Sequence, residues 1–187
     1  MSDATKACQC FLKTFSGWEV CATDSKGIWN PSRCDFISYS SFVGIILEGR
    51  IKCIDDCVLL NCYGSYKDRE VFWRNIVDCG MLLEWNLILG GDLNFTLSSS
   101  EIWGSQLVDP LSTFFTDVFQ NVGLVDICLI PLEPTWRNGC VGSQGISKCL
   151  DRFFISDHLS EYLGNFRSWN YNSTISDHIP HLLTVYA

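Results

Sequence analysis

Apolar positions along this chain fall into two kinds of run. One kind is short, continuous and rich in β-branched residues, which is how a strand buried on both faces reads. Leu87-Ile88-Leu89-Gly90 belongs to it and is closed by Gly91. Ser41 to Leu47 and Lys52 to Tyr63 form a pair, with Gly49-Arg50 as the expected hairpin turn between them. Leu150 to Ile155 and His181 to Tyr186 predict two further strands. The other kind repeats every three or four residues. Phe72, Ile76, Cys79 and Leu83 predict a helix over about 68–83. Asp109 suits an N-cap and Pro110 a first helical position. Leu111, Phe114, Phe115, Val118, Phe119 and Val122 then form one apolar stripe that Gly123 closes. Ser156 caps a short helix running to Leu163, ended by Gly164. Strands interleaved with fewer helices predict a single α/β domain with a mixed sheet. Residues 1–35 carry little pattern beyond Phe11, Leu12, Phe15 and Trp18 at roughly helical spacing.

Composition narrows this picture. A chain of 187 residues that is 47% hydrophobic and 13% aromatic can bury a sizeable core in one domain. No apolar run approaches the ~18 residues a membrane span needs, and no signal-peptide core follows Met1. A soluble intracellular protein, nuclear or cytoplasmic, with no membrane partner is therefore expected. The eleven cysteines are odd in number and scattered, and no Cys-x-x-Cys occurs. They are expected to be reduced, mostly buried apolar residues and neither disulfides nor zinc ligands. A net charge of −8 weighs against a polyanionic partner, whose phosphates are normally met by clustered Lys and Arg.

Candidate chemistry gathers at predicted strand ends. Tyr63 ends one strand, Asp92 and Asn94 follow the next, Asp151 begins a third, and Asp177-His178 precedes the last. Residues i and i+2 of an extended segment point the same way, so Asp92 and Asn94 would face one site. Alone, Gly90-Gly91-Asp92-Leu93-Asn94 reads equally as a turn. Ser156-Asp157-His158 repeats the letters of Ser176-Asp177-His178, but the first triplet opens a helix, where Ser and Asp serve as caps. Only the second asks for a functional explanation.

Taken in order, Tyr63-Gly64, Gly91-Asp92-Leu93-Asn94, Leu150-Asp151-Arg152-Phe153-Phe154-Ile155-Ser156 and Ser176-Asp177-His178-Ile179-Pro180 resemble the endonuclease/exonuclease/phosphatase superfamily. Phe72-Trp73, Leu124-Val125-Asp126 and Thr135-Trp136 are similar to its apurinic-type endonuclease domains in plant LINE-type (non-LTR) retrotransposons, over about residues 45–187. The resemblance implies a four-layer sandwich of two packed mixed β-sheets flanked by helices. It also implies Mg²⁺-dependent (or Mn²⁺-dependent) hydrolysis of a DNA phosphodiester, in the retroelements a nick in target DNA. By the same resemblance Asp92 orients or deprotonates the attacking water. Asn94 bonds that water or the phosphate, His178 meets the phosphoryl oxygen, and Asp151 holds the His ring. Tyr63 lies against the phosphate, and Asp177, with Asp92, lies near the metal. The family also carries an Asn on an initial strand and a Gln-Glu-x-Lys motif whose Glu is the main metal ligand. Here Asp3-Ala4-Thr5-Lys6 aligns with that motif, with Ala4 in place of the Glu, and no Asn strand precedes it. A missing first strand, weakened metal binding and impaired activity are the expectations that follow. A catalytically silent relic or binding module of the same fold is the alternative, and a phosphomonoesterase of the same superfamily is a second.

Overall fold

The computed structural model describes residues 34–51, 54–105, 107–171 and 176–185, with the backbone of residues 19–20 and 28–29. In chain order the strands are β1 (Glu19–Val20), β2 (Ile28–Trp29), β3 (Cys34–Ser41), β4 (Gly44–Ile51), β5 (Ile54–Cys62) and β6 (Leu87–Asp92). They continue as β7 (Ile102–Trp103), β8 (Leu124–Asp126), β9 (Trp136–Arg137), β10 (Ser147–Lys148), β11 (Asp151–Ser156), β12 (Phe166–Asn170) and β13 (His181–Val185). Among the described residues three α-helices join them: α1 (Arg69–Asp78), α2 (Ser112–Asn121) and α3 (Asp157–Leu163).

Six strands make one mixed sheet in the order β3-β4-β5-β6-β11-β8. Its β5–β6 pair is parallel, connected through α1, and every other neighbour is antiparallel. A continuous apolar run needs cover on both faces, and both are covered. On one face Leu60, Leu87, Leu89 and Phe154 pack with Trp73 and Ile76 of α1 and Phe115 and Phe119 of α2. On the other, Ile54, Cys57, Ile88 and Ile155 pack with Leu159 of α3, Phe166 of β12 and Leu183 of β13. Helices α1 and α2, the six-stranded sheet, and β12–β13 with α3 thus lie in successive layers, as the α/β sandwich expectation requires. Among the described residues the second sheet is the β12–β13 pair, with β1–β2 and β7-β10-β9 as further small sheets. Among them, too, no helix is long and apolar enough to cross a membrane. The expected loss of an initial strand, and Ala4, lie outside the described residues.

Several boundaries differ from the sequence pattern for local reasons. Gly49-Arg50 is not the hairpin turn but lies within β4, beside a register shift between Gly49 and Ile51. The expected β4–β5 hairpin does form, with Ile51 opposite Ile54, and a separate turn at Phe42-Val43, where the Ser41 hydroxyl accepts the Val43 N–H at 3.3 Å, joins β4 to a strand before it. That strand is β3, Cys34–Ser41, which its mixed polar pattern concealed. Helix α1 stops at Asp78, not near 83, because Gly80 turns the chain with φ 77° and leaves Leu83 exposed. Helix α2 begins at Ser112: Asp109-Pro110-Leu111 forms a preceding turn, in which the Asp109 carboxylate accepts the Leu111 N–H at 3.0 Å. Ser156 does cap α3, accepting from the Leu159 N–H, and Gly164 ends it in the left-handed region. Of the described cysteines Cys57, Cys62 and Cys149 are buried, but Cys79, Cys128 and Cys140 are exposed.

Two interactions lock the central strands. Phe95 stacks on Phe115 at 4.2 Å and Phe119 on Phe154 at 4.3 Å, with Trp73 edge-on to Phe95, Phe115 and Phe119. Beside this cluster Arg152, 6% exposed, forms a bidentate pair with Glu101 (2.7 and 2.9 Å) and a third bond to Asp126. Burial opposes the charge on Arg152, but these two carboxylates hold its pKa above the ordinary arginine value. The network ties β11 to the turn at Ser99–Glu101 and to β8. Removing the cation would strand the buried Glu101 carboxylate and the half-buried Asp126 one. Arg152→Met is expected to destabilise the fold by about 3–5 kcal/mol. Urea denaturation would show this as a lower midpoint at an unchanged slope.

Candidate active site

Register places the first two acids. Asp92 ends β6, Asp151 begins β11, and the two are direct partners across the antiparallel ladder. Opposed residues of such a pair stand on the same face at ~5 Å, so both carboxylates point toward one spot. The Leu93 N–H continues the ladder to the Leu150 carbonyl at 2.9 Å. Two glycines let the backbones approach. A Cβ on Gly91, whose φ is 125°, would lie 2.2 Å from the Cys62 carbonyl oxygen. One on Gly64 would lie 2.1 Å from that of Leu93. The Gly64 N–H instead donates to the Asp92 carbonyl at 2.7 Å, joining the end of β5 to the tip of β6.

The third member arrives from far along the chain. Residues 177–179 run antiparallel to the segment at Thr135–Arg137: the Arg137 N–H donates to the Asp177 carbonyl at 3.0 Å, and the Ile179 N–H to the Thr135 carbonyl at 2.7 Å. His178 is thereby set over the carboxylate pair. Its Nδ1 lies 3.0 Å from Asp151 Oδ2 and its Nε2 3.7 Å from Asp92 Oδ2. A carboxylate only accepts, so Nδ1 carries a hydrogen and Nε2 faces the site. Burial pulls the His178 pKa down, but the Asp151 hydrogen bond and the charges of Asp151, Asp92 and Asp177 outweigh it, and the net shift is upward. Burial and the Asp151 charge push the Asp92 pKa up, against the pull of His178 and the Asn94 N–H.

Asn94 has φ 57°, a left-handed conformation that Asn tolerates better than most residues. Its backbone N–H donates to Asp92 Oδ1 at 3.3 Å. Its Nδ2 donates to the Gly64 carbonyl at 2.6 Å and to Asp92 Oδ2 at 3.4 Å. With both amide hydrogens engaged on acceptors, the free end of the carboxamide is its oxygen. Asp177 is held differently: Trp136 Nε1 donates to its Oδ2 at 3.1 Å and the Ser176 hydroxyl to its Oδ1 at 3.2 Å. These bonds lower its pKa, the Trp136 bond first. Tyr63 is 67% exposed and adjoins the site through Gly64. Of the residues singled out from sequence, the fold brings Asp92, Asn94, Asp151 and His178 into contact, with Asp177 in the same field and Tyr63 at the margin.

Sequence reasoning missed the supports. The buried Thr135 hydroxyl accepts the N–H groups of both Leu150 and Asp151 at 2.9 Å, and His181 Nδ1 bonds the Asp151 carbonyl at 3.0 Å. Thr135-Trp136 stood out in the sequence only as a resemblance, and nothing local marked what either side chain holds. His158, the decoy, is structural. It stacks on Trp85 at 4.1 Å and contacts Asn86. Ligand atoms of Asp92, Asp151 and His178 all lie within 4.8 Å of one another. Two carboxylates facing each other, one with a raised pKa, form a donor set that fits a hard divalent cation.

The pKa directions set stability against pH. The fold raises the His178 value, so its contribution is full below the ordinary histidine pKa and is lost as pH rises through the raised one. The fold also raises Asp92, so ionised Asp92 costs stability at neutral pH. Asp92→Asn is expected to raise Tm at neutral pH by a few degrees, about 2–4 °C per kcal/mol relieved. His178→Gln should flatten the loss of Tm that sets in as pH rises above the ordinary histidine pKa. Thermal melts across pH check both.

The fold as a whole has solved counterparts. The chain aligns with the endonuclease domain of TRAS1, a telomere-specific non-LTR retrotransposon, at TM-score 0.68 and 18% identity, covering 98% of this chain and 92% of that one. It also aligns with the 3'-5' exonuclease NExo from Neisseria meningitidis at TM-score 0.60 and 16% identity, covering 94% and 82%. A structure of NExo described as a 3' phosphatase bound to product DNA hairpin matches at TM-score 0.63 and 14% identity, covering 95% and 82%. No family profile and no curated protein sequence matches. At these identities the likeness is one of fold: the chain shares the fold of these solved nuclease structures.

Proposed function

We propose that this chain hydrolyses phosphodiester bonds of DNA in a metal-dependent reaction, as an endonuclease. The observation that carries the reading is the Asp92–His178–Asp151 cluster with Asn94 beside it, at the mouth of a nuclease-type sheet. Asp92, whose carboxylate faces both His178 and Asp151, takes the proton of the attacking water. The free carboxamide oxygen of Asn94 accepts that water's other hydrogen, an assignment its engaged Nδ2 favours over a phosphate contact. The water oxygen forms the new bond to phosphorus as the bond to the sugar oxygen breaks. His178, held as an imidazolium by Asp151, donates from Nε2 to the phosphoryl oxygen on which charge builds. Asp92 and Asp151, with Asp177 nearby, are the oxygen donors that would hold Mg²⁺ or Mn²⁺. A bound divalent cation would supply neutralisation of phosphoryl charge. Tyr63, exposed beside Gly64, would flank the substrate.

A second reading is a silent copy of the same fold, supported by Ala4 at the aligned position of the metal-ligand Glu and by the net charge of −8. Both readings meet in one experiment on supercoiled plasmid with Mg²⁺. Slow nicking is expected, abolished by EDTA and lowered roughly 10²-fold or more by Asp92→Ala or His178→Ala. Ala4→Glu should raise the rate and lower the Mg²⁺ needed. If neither the natural chain nor Ala4→Glu nicks DNA above Asp92→Ala, the silent reading stands. Release of phosphate from a 3'-phosphorylated strand without nicking would indicate the phosphomonoesterase instead.

A further inference from the structure

The left-handed turn at Asn94 is what points its carboxamide back at Asp92, and this turn is gripped from outside the site. Arg69, the first residue of α1, donates from NH1 to the Asn94 carbonyl at 3.0 Å. The same guanidinium forms a two-bond pair with Asp109, at 2.6 and 2.9 Å. Asp109 in turn accepts the N–H groups of Thr96 at 3.3 Å and Leu111 at 3.0 Å. One ion pair, joining residues 40 apart in sequence, therefore holds the carbonyl before Phe95 and the N–H after it. Phe95 itself is fully buried against Phe115. Side chains of the pair are only 20% and 9% exposed, so its geometry is shielded from water. Burial raises the Asp109 pKa, but the Arg69 bonds and two backbone N–H groups pull it below the ordinary value, which keeps the pair ionised.

We propose that Arg69 and Asp109 are positioning residues that fix the Asn94 carbonyl and so aim the Asn94 carboxamide at Asp92. The inference rests on the nuclease reading above, because that reading makes the Asn94 oxygen a partner of the attacking water. A direct role for Arg69 is the rival. Its side chain borders a groove of about 420 Å³ that also touches Tyr66, Asn94, Lys148 and Leu150, where a guanidinium could meet a DNA phosphate. Asp109→Asn separates the two. It weakens the clamp while leaving the Arg69 charge free to bind DNA.

Nicking kinetics of the full chain, in the natural and Ala4→Glu backgrounds, would be compared for Arg69→Met, Arg69→Lys and Asp109→Asn. Loss of the clamp is expected to lower kcat roughly 10- to 100-fold in Arg69→Met and Asp109→Asn, with KM within about twofold. Arg69→Lys, which keeps the charge and one hydrogen bond, should recover part of the loss. In an Asn94→Ala background neither change should lower kcat further, since both act through Asn94. A readout free of activity is the Asn94 side-chain amide pair in ¹⁵N NMR, assigned by its absence in Asn94→Ala. In the natural chain its hydrogens should be protected from exchange, and in folded Arg69→Met and Asp109→Asn they should lose that protection. Unchanged amide signals in both variants would overturn the clamp. So would a rise in KM confined to Arg69→Met, which marks a DNA contact. Altered amide signals with no nicking by any form would uphold the clamp and count against the nuclease reading alone.

Discussion

Two carboxylates held opposite each other across the β6–β11 ladder are the constraint around which this protein is arranged. Burial first, and then the repulsion of like charges so placed, raise the pKa of Asp92. An unconstrained pair would move apart. Here the Gly64 and Leu93 backbone bonds, the Thr135 hydroxyl and His181 hold both strand ends in place. His178 then spans the two acids, and their field makes it a cation more readily than a free histidine. Under the nuclease proposal, this electrostatic tension is what the chemistry draws on. Relaxing it would stabilise the fold and remove the site.

Rigidity beneath the site has a second, separate source. Arg152 follows Asp151 immediately, and strand alternation sends its side chain to the opposite face. There it closes a buried network with Glu101 and Asp126 beside stacked Phe119 and Phe154. Neighbouring residues of one strand thus face different ways: Asp151 meets His178 and Asp92, and Arg152 anchors the strand that presents it. The Arg69–Asp109 pair does for the β6 side what Arg152 does for β11, gripping the loop after the strand through backbone atoms.

Legibility in the sequence followed how local each signal was. Strand 87–90 was plain because its apolar run is continuous, and 150–155 because Phe153-Phe154-Ile155 follow its charged pair. Helix α2 was plain because its stripe is long, and the α3 cap because Ser156 and Gly164 act within one turn. Strand β3 was hidden because it is a half-exposed edge with mixed side chains. Strand β12 was hidden because its short run, Phe166 to Asn170, meets its partner β13 eleven residues further on. Gly49 misled because glycine serves a strand irregularity as readily as a turn.

Sequence by itself determined the α/β class, the strand ends where polar residues gather, and the motif order that resembles a nuclease. It could do so because hydrophobic period and turn chemistry act over a few residues. Only the tertiary structure decided which of those polar residues meet. Asp92, Asp151 and His178 are separated by dozens of residues, and their convergence depends on strand register and on the pairing of residues 177–179 with Thr135–Arg137. The supports by Thr135, Trp136 and Arg69 were likewise decided there, since each holds a group distant in sequence. A long-range contact is set by packing and register together, and no local pattern carries either.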